Sequence, residues 1–292
     1  IGVEREPGAT TACRTPSSIH SSTNVAQKVA WTSAGEGGDC STIAAERYGP
    51  TLANVTTSDV SDTPSDPRPR VTIDVWSDVI CPWCYIGKRR FEAGLAQARD
   101  QHPDVDFAVA YKPYQLDPTA APGVSGPVVE AYAKKFGGHE RAQEILGHVT
   151  RTAADVGLDF RMDIAQRANT MLAHRLLWLA AQPDSPTTQE QMKERLLRAY
   201  FTEGVHIGNV EALAECASDL GFDRSDVVTF LDSDRGVAEV DAELRHAHEN
   251  GITAVPTYVL NGMWAVPGAQ EPETFAQVLD KMAAKALAAD DG

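Results

Sequence analysis

The first sustained alternation of apolar and polar positions begins at Val71, where Val71, Ile73 and Val75 alternate with Thr72, Asp74 and Trp76. β-Branched residues at every second position suit one face of a pleated sheet, so the spacing predicts a strand. After Cys81 the period lengthens. Ile86, Phe91 and Leu95 mark the buried face of a helix opened by Pro82, a position where the missing proline N–H costs nothing. Residues 105–111 alternate in part and predict a second strand, closed by the proline-bearing turn KPYQLDP. Helical spacing then recurs at 127–136, 140–156, 164–181, 188–201, 210–220, 225–231 and 237–250, with Pro or Gly breaks between most segments. Short apolar runs at 257–260 and 263–266 flank Asn261-Gly262, the strongest short-range signal for a two-residue hairpin. Pro272 opens a last amphipathic helix through Phe275, Val278, Leu279 and Met282, with Glu271 and Glu273 in its favoured negative first turn.

Strand, helix and strand, then seven helical segments, then a hairpin and a helix make an α/β pattern interrupted by a large all-helical insertion. Residues 71–116 and 250–292 are expected to form the sheet domain and 117–249 the inserted helical subdomain. Residues 1–70 differ in character. Thr, Ser, Gly and Ala dominate there, apolar positions keep no period, and SDVSDTPSDPRPR sets prolines among serines and charges. A flexible leader ending in a stiff linker is expected, with a weak helical pattern at 42–48.

Composition narrows the choice of partner. Forty-one acidic against 26 basic residues give the 292-residue chain a net charge of −15, which argues against nucleic acid and anionic membranes as partners. No run approaches the roughly 20 apolar residues of a membrane span, and the N-terminus lacks the order of a secretory signal, so a cytoplasmic protein is expected. Because the chain begins with Ile1, a signal removed upstream of that residue stays open. The five cysteines, at 13, 40, 81, 84 and 216, are too sparse and too odd in number for a disulfide framework. Cys13 and Cys40 lie in the leader, with no catalytic role expected. Cys216 falls at an apolar position of a helical pattern and reads as a small buried hydrophobe.

Cys81 and Cys84 are different. A helix N-terminus presents unpaired N–H groups and partial positive charge, which favour the thiolate of a cysteine placed there. Cys81 is therefore the expected nucleophile. Cys84, three residues on, can attack a mixed disulfide formed at Cys81 and so is the expected resolving thiol. No second cysteine pair or His pair follows at the spacing of a four-ligand zinc site, and no metal is expected.

With the motif in place, the chain resembles the DsbA-like branch of the thioredoxin superfamily, and within it the FrnE-type oxidoreductases, some of them linked to polyketide biosynthesis. The stretches that carry the likeness are SDVICPWCYIGKRRFE from Ser77, ANTMLAHRLLWLA from Ala168, AYFTEGVHIGN from Ala199 and GITAVPTYVLNGMWAVPGAQ from Gly251. Together they cover about residues 71–288 and leave out the leader. The resemblance implies a thioredoxin-like mixed sheet with the helical insertion. It also implies a cis Val255-Pro256 bond facing the cysteines, with the Val255 backbone pairing to substrate. Pro82-Trp83 lacks the histidine of the strongly oxidising periplasmic members, which implies a less oxidising couple. Trp83 either stands beside the thiolate as a substrate contact or packs on the helices. Asp78 either caps the turn into the helix or relays a proton to Cys84. Asn169 and His174 either line a cleft beside the cysteines or serve structure.

The expected activity is thiol–disulfide exchange on a protein or small-molecule substrate. The expected cofactor set is empty apart from the redox-active cysteine pair, with glutathione a candidate co-substrate, and the expected assembly is a monomer or homodimer. Two alternatives stay open. One is a glutathione-dependent isomerase or transferase of the 2-hydroxychromene-2-carboxylate isomerase type, whose members typically carry serine and no second cysteine at the motif. The other is a non-catalytic chaperone or binding module.

Overall fold

The computed structural model describes residues 68–290. Cys13, Cys40 and the segment at 42–48 lie outside them. Strand β1 (Arg70–Ser77) is followed by helix α1 (Pro82–Gln101) and by β2 (Asp106–Pro113), which runs parallel to β1. Seven helices come next: α2 (Val128–Phe136), α3 (His139–Asp155), α4 (Met171–Ala180), α5 (Gln189–Phe201), α6 (Val210–Ser218), α7 (Arg224–Asp232) and α8 (Val237–Glu249). The chain returns as β3 (Thr257–Leu260) and β4 (Trp264–Pro267), and ends in α9 (Pro272–Asp290). The sheet order is β2-β1-β3-β4, with β3 antiparallel to both neighbours, so the sheet is mixed.

The alternation in β1 decides what each face meets. Val71, Ile73 and Val75 join Phe91 and Leu95 of α1 and Phe275, Leu279 and Met282 of α9 in one core. Trp76 faces the other way and packs with Val259, Ile252 and Ala247 at the end of α8. Helices α1 and α9 approach closely because position 94 is glycine. A Cβ there would stand 2.6 Å from the Pro272 carbonyl oxygen and 2.7 Å from the Phe275 Cβ. A second, larger core unites α2–α7 and takes in Val79 from the turn before α1 and Tyr85 and Ile86 from its start. The first turns of α1 thus lie between the sheet and the helical layer.

Two expected boundaries move. Helix α4 begins at Met171, seven residues after the expected start, because the preceding backbone is engaged elsewhere. The Arg167 N–H donates to the Gly126 carbonyl and the Ala165 carbonyl accepts from the Val128 N–H, pairing this segment with the approach to α2. The β3–β4 connection has three residues, since Leu260 pairs with Trp264. Asn261 and Gly262 both take positive φ, of 49° and 65°, and the Met263 N–H closes the turn on the Leu260 carbonyl. Met263 is thereby turned out to solvent instead of starting the strand.

Among the described residues no helix is long and apolar enough to cross a membrane.

Candidate active site

Cys81 is the N-cap residue of α1, in extended conformation, and Pro82 fills the first helical turn. The Cys84 N–H donates to the Cys81 carbonyl at 3.0 Å, so the helix begins within the motif itself. Both cysteines are thiols and both are almost fully buried. Opposite them the chain arrives from α8 into β3. The Val255-Pro256 bond is cis, and the Cys81 thiol lies 3.7 Å from the Val255 carbonyl oxygen, which accepts its hydrogen bond. Two segments 174 residues apart in sequence meet at that contact.

The Cys84 thiol is pushed well up, by burial first and then by its hydrogen bond to Cys81 and electrostatic repulsion from that neighbouring sulfur. The Lys193 ammonium and the Asp78 backbone N–H pull the other way. A thiol in that position does not ionise unaided, which suits a group that reacts second.

Asp78 is completely buried. It does not cap α1, whose N-cap makes no side-chain bond, and the capping expectation is corrected on that point. Its carboxylate accepts instead from the Val79 N–H and the Leu116 N–H, both at 2.8 Å, and meets His174 Nε2 at 3.1 Å. A buried carboxylate needs such donors, and these three tie the turn before Cys81 to the loop after β2 and to α4. His174 Nε2 also faces the Tyr114 carbonyl at 3.0 Å. With two acceptors before it, that nitrogen carries the proton.

Asn169 is held in the neighbouring loop. Its amide donates to the Ala120 carbonyl at 2.8 Å, and its oxygen accepts from the Met171 N–H at 2.9 Å as α4 begins. Both Asn169 and His174 thus fasten the loop after β2 to α4. Trp83 is half-buried against the helical layer, its ring 6.0 Å from that of His148 on α3. Cys216 is buried in α6.

One group beside the motif was missed in the sequence. Lys193 of α5 is 1% exposed, and burial lowers its amine to about 8, opposed by the nearby Cys84, Asp78 and Cys81. Its signal was visible, because Lys193 shares the apolar stripe of α5 with Leu196, Leu197 and Tyr200, where a lysine has no reason to be. The start of α5 fixes its place. Thr188 and Gln191 form a capping box, and the Gln189 amide pairs with both the N–H and the carbonyl of Tyr111 on β2, at 2.8 and 3.0 Å. One turn later Lys193 Nζ stands 5.8 Å from the centre of the Tyr111 ring. Ion pairs from Lys88 and Arg89 to Glu194 join α1 to the outer side of α5.

The model of the DSBA-like thioredoxin domain family matches residues 72–280. A probable DsbA oxidoreductase from Streptomyces coelicolor is 33% identical with a TM-score of 0.65, over 72% of this chain and 89% of that one. The uncharacterized protein YwbO of Bacillus subtilis is 26% identical over 212 residues, 72% of this chain and 96% of its own length. The cytosolic disulfide reductase DsbM from Pseudomonas aeruginosa, solved with GSH, shares the fold at 18% identity and a TM-score of 0.50, over 72% of this chain and 98% of that one.

Proposed function

Because the chain belongs to the DSBA-like thioredoxin domain family, we propose that Cys81 and Cys84 form the redox centre of a thiol–disulfide oxidoreductase, of the FrnE type by its motifs and acting in the cytoplasm. The observation that carries this reading is the pair of buried thiols at the N-terminus of α1, with the Cys81 sulfur against the Val255 carbonyl. A thiolate at Cys81 attacks one sulfur of a substrate disulfide, forming a Cys81–substrate bond and releasing the other sulfur as a thiol. Cys84 then gives up its proton and attacks Cys81. The Cys81–Cys84 bond forms, the substrate leaves as its second thiol, and two electrons have passed to it. Run backwards, the same steps oxidise a dithiol.

Val255 and Pro256 form the wall against which an extended substrate lies, with Pro82 and Trp83 at its rim. Glutathione is a small thiol of the right chemistry to reset the pair. We assign substrate handling to the sheet part at 71–116 and 250–292 and its covering to the helical part at 117–249. Retention of both cysteines favours exchange over a glutathione-dependent isomerase, which needs no resolving thiol.

The test is equilibration in glutathione buffers of graded potential. The expected result is reversible loss of two thiols in one two-electron step, at a potential below the roughly −120 mV of the strongest known oxidant of this kind. Independent oxidation of the two cysteines would remove the reading.

A further inference from the structure

Three strands set a row of side chains beneath the dithiol. Val75 of β1 lies opposite Tyr111 of β2 on one side and Tyr258 of β3 on the other, and all three belong to the core that faces α1. Ser77 is two residues along β1 and so points to the same face. Over this row α1 lays Cys84, Gly87, Lys88 and Phe91, all buried at helical spacing. Position 87 has room only for hydrogen, since a Cβ would stand 2.8 Å from the Tyr258 hydroxyl and 3.1 Å from Pro256. The Tyr258 hydroxyl is thus pressed against α1 one turn beyond Cys84. From the β2 side, α5 extends Lys193 over Tyr111. Lys193 Nζ, the Tyr258 hydroxyl and the Ser77 hydroxyl are all buried and make no hydrogen bond. Each such group costs free energy, so three of them together in one native interior call for an explanation.

We propose that Lys193 is the proton-exchange partner of Cys84, a role that deepens the disulfide-exchange reading above and rests on it. When the mixed disulfide stands on Cys81, the Cys84 thiol passes its proton through one bridging water to the neutral Lys193 amine, which makes no direct hydrogen bond to the sulfur. The resulting thiolate places its electron pair in the new Cys84–Cys81 bond as the Cys81–substrate bond breaks, and the departing substrate sulfur takes a proton from solvent. Reduction of the pair returns the proton from the Lys193 ammonium to Cys84. Lys193 touches no substrate and acts through Cys84, as a positioning residue.

The charges around the amine fit this use. Cys84 and Cys81 of the motif and Asp78 of the turn before it favour its ammonium form, while Lys88 of α1 opposes it. Lys88 is itself paired with Glu92 and Glu194. The uncharged face is the Tyr111 ring of β2. Burial holds the amine at about 8, so both of its forms exist near neutral pH.

The experiment follows the two phases of reaction with 5,5′-dithiobis(2-nitrobenzoate) by stopped flow from pH 6 to 10. The first release reports attack by Cys81 and the second reports resolution by Cys84. In Lys193→Met and Lys193→Gln the second phase is expected to slow about tenfold at pH 7 and its midpoint to move to higher pH, with the first phase changed less than about twofold. A second-phase pH profile equal to that of the unaltered chain would overturn the proposal. Absence of a second phase in the unaltered chain would instead defeat the exchange reading itself. Should neither variant fold, ε-carbon NMR of labelled lysine in the unaltered chain decides. One resonance titrating near pH 8 that shifts when the dithiol is oxidised supports the proposal, and no lysine responsive to oxidation overturns it.

Discussion

Replacing Lys193 by methionine should make this protein more stable, by an amount that depends on pH. Methionine keeps the length and volume of the lysine stem and brings no polar atom into the site. Burial lowers the amine from the ordinary lysine value of 10.5 to about 8. The folded chain therefore holds the proton less tightly than the unfolded chain, which binds more protons between those two values, and stability rises with pH across that window. Below it the folded chain carries the full cost of a buried ammonium, about 3 kcal/mol at 1.36 kcal/mol for each pH step. Lys193→Met should thus gain about 3 kcal/mol at pH 7, and the gain should be roughly halved by pH 9.5. The assay is urea unfolding of both reduced proteins, followed by tryptophan fluorescence at several pH values, since groups that titrate alike in both cancel in the difference. A variant less stable than its parent at pH 7, or a difference that stays constant with pH, would refute the reasoning. A gain of that size on losing the amine is the result expected if Lys193 serves the chemistry and not the fold.

Two further substitutions probe how the site is held. Asp78→Ala removes the acceptor of the Val79 and Leu116 N–H groups and leaves both without a partner, while His174 keeps only the Tyr114 carbonyl; a loss of roughly 3 kcal/mol is expected in urea unfolding. Gly94→Ala forces a methyl against Pro272 and Phe275 far from the cysteines. It should cost about 1–3 kcal/mol and lower the melting temperature in calorimetry, while disulfide exchange at the permissive temperature stays unchanged.

Much of this arrangement was legible in the chain because it is local. The alternation of Val71, Ile73 and Val75 and the change of period after Cys81 report a face and a helix without knowledge of anything distant. The helices after β2 announce themselves in the same way, through apolar spacing and Pro or Gly breaks. What escaped depends on tertiary pairing. Residues 164–170 have helical composition but spend their backbone groups on the segment before α2, so α4 starts late. Asn261-Gly262 correctly marks a turn, yet register across β3 and β4 decides that Met263 joins it. Asp78 resembles a cap three residues before Cys81, and only the loop after β2 and His174 of α4 show where its oxygens go. Lys193 is the most instructive miss. An isolated lysine on an apolar stripe carries information by its position alone, but its neighbours across the sheet have to be known before that position has a meaning.

The pairing of Cys81 as attacking thiol with Cys84 as resolving thiol is tested most directly by Cys84→Ser. Incubated with oxidised glutathione or with cell extract, that variant should accumulate mixed disulfides on Cys81 that reductant releases and that Cys81→Ser does not form. Absence of any such adduct, or adducts confined to Cys216, would contradict the assignment.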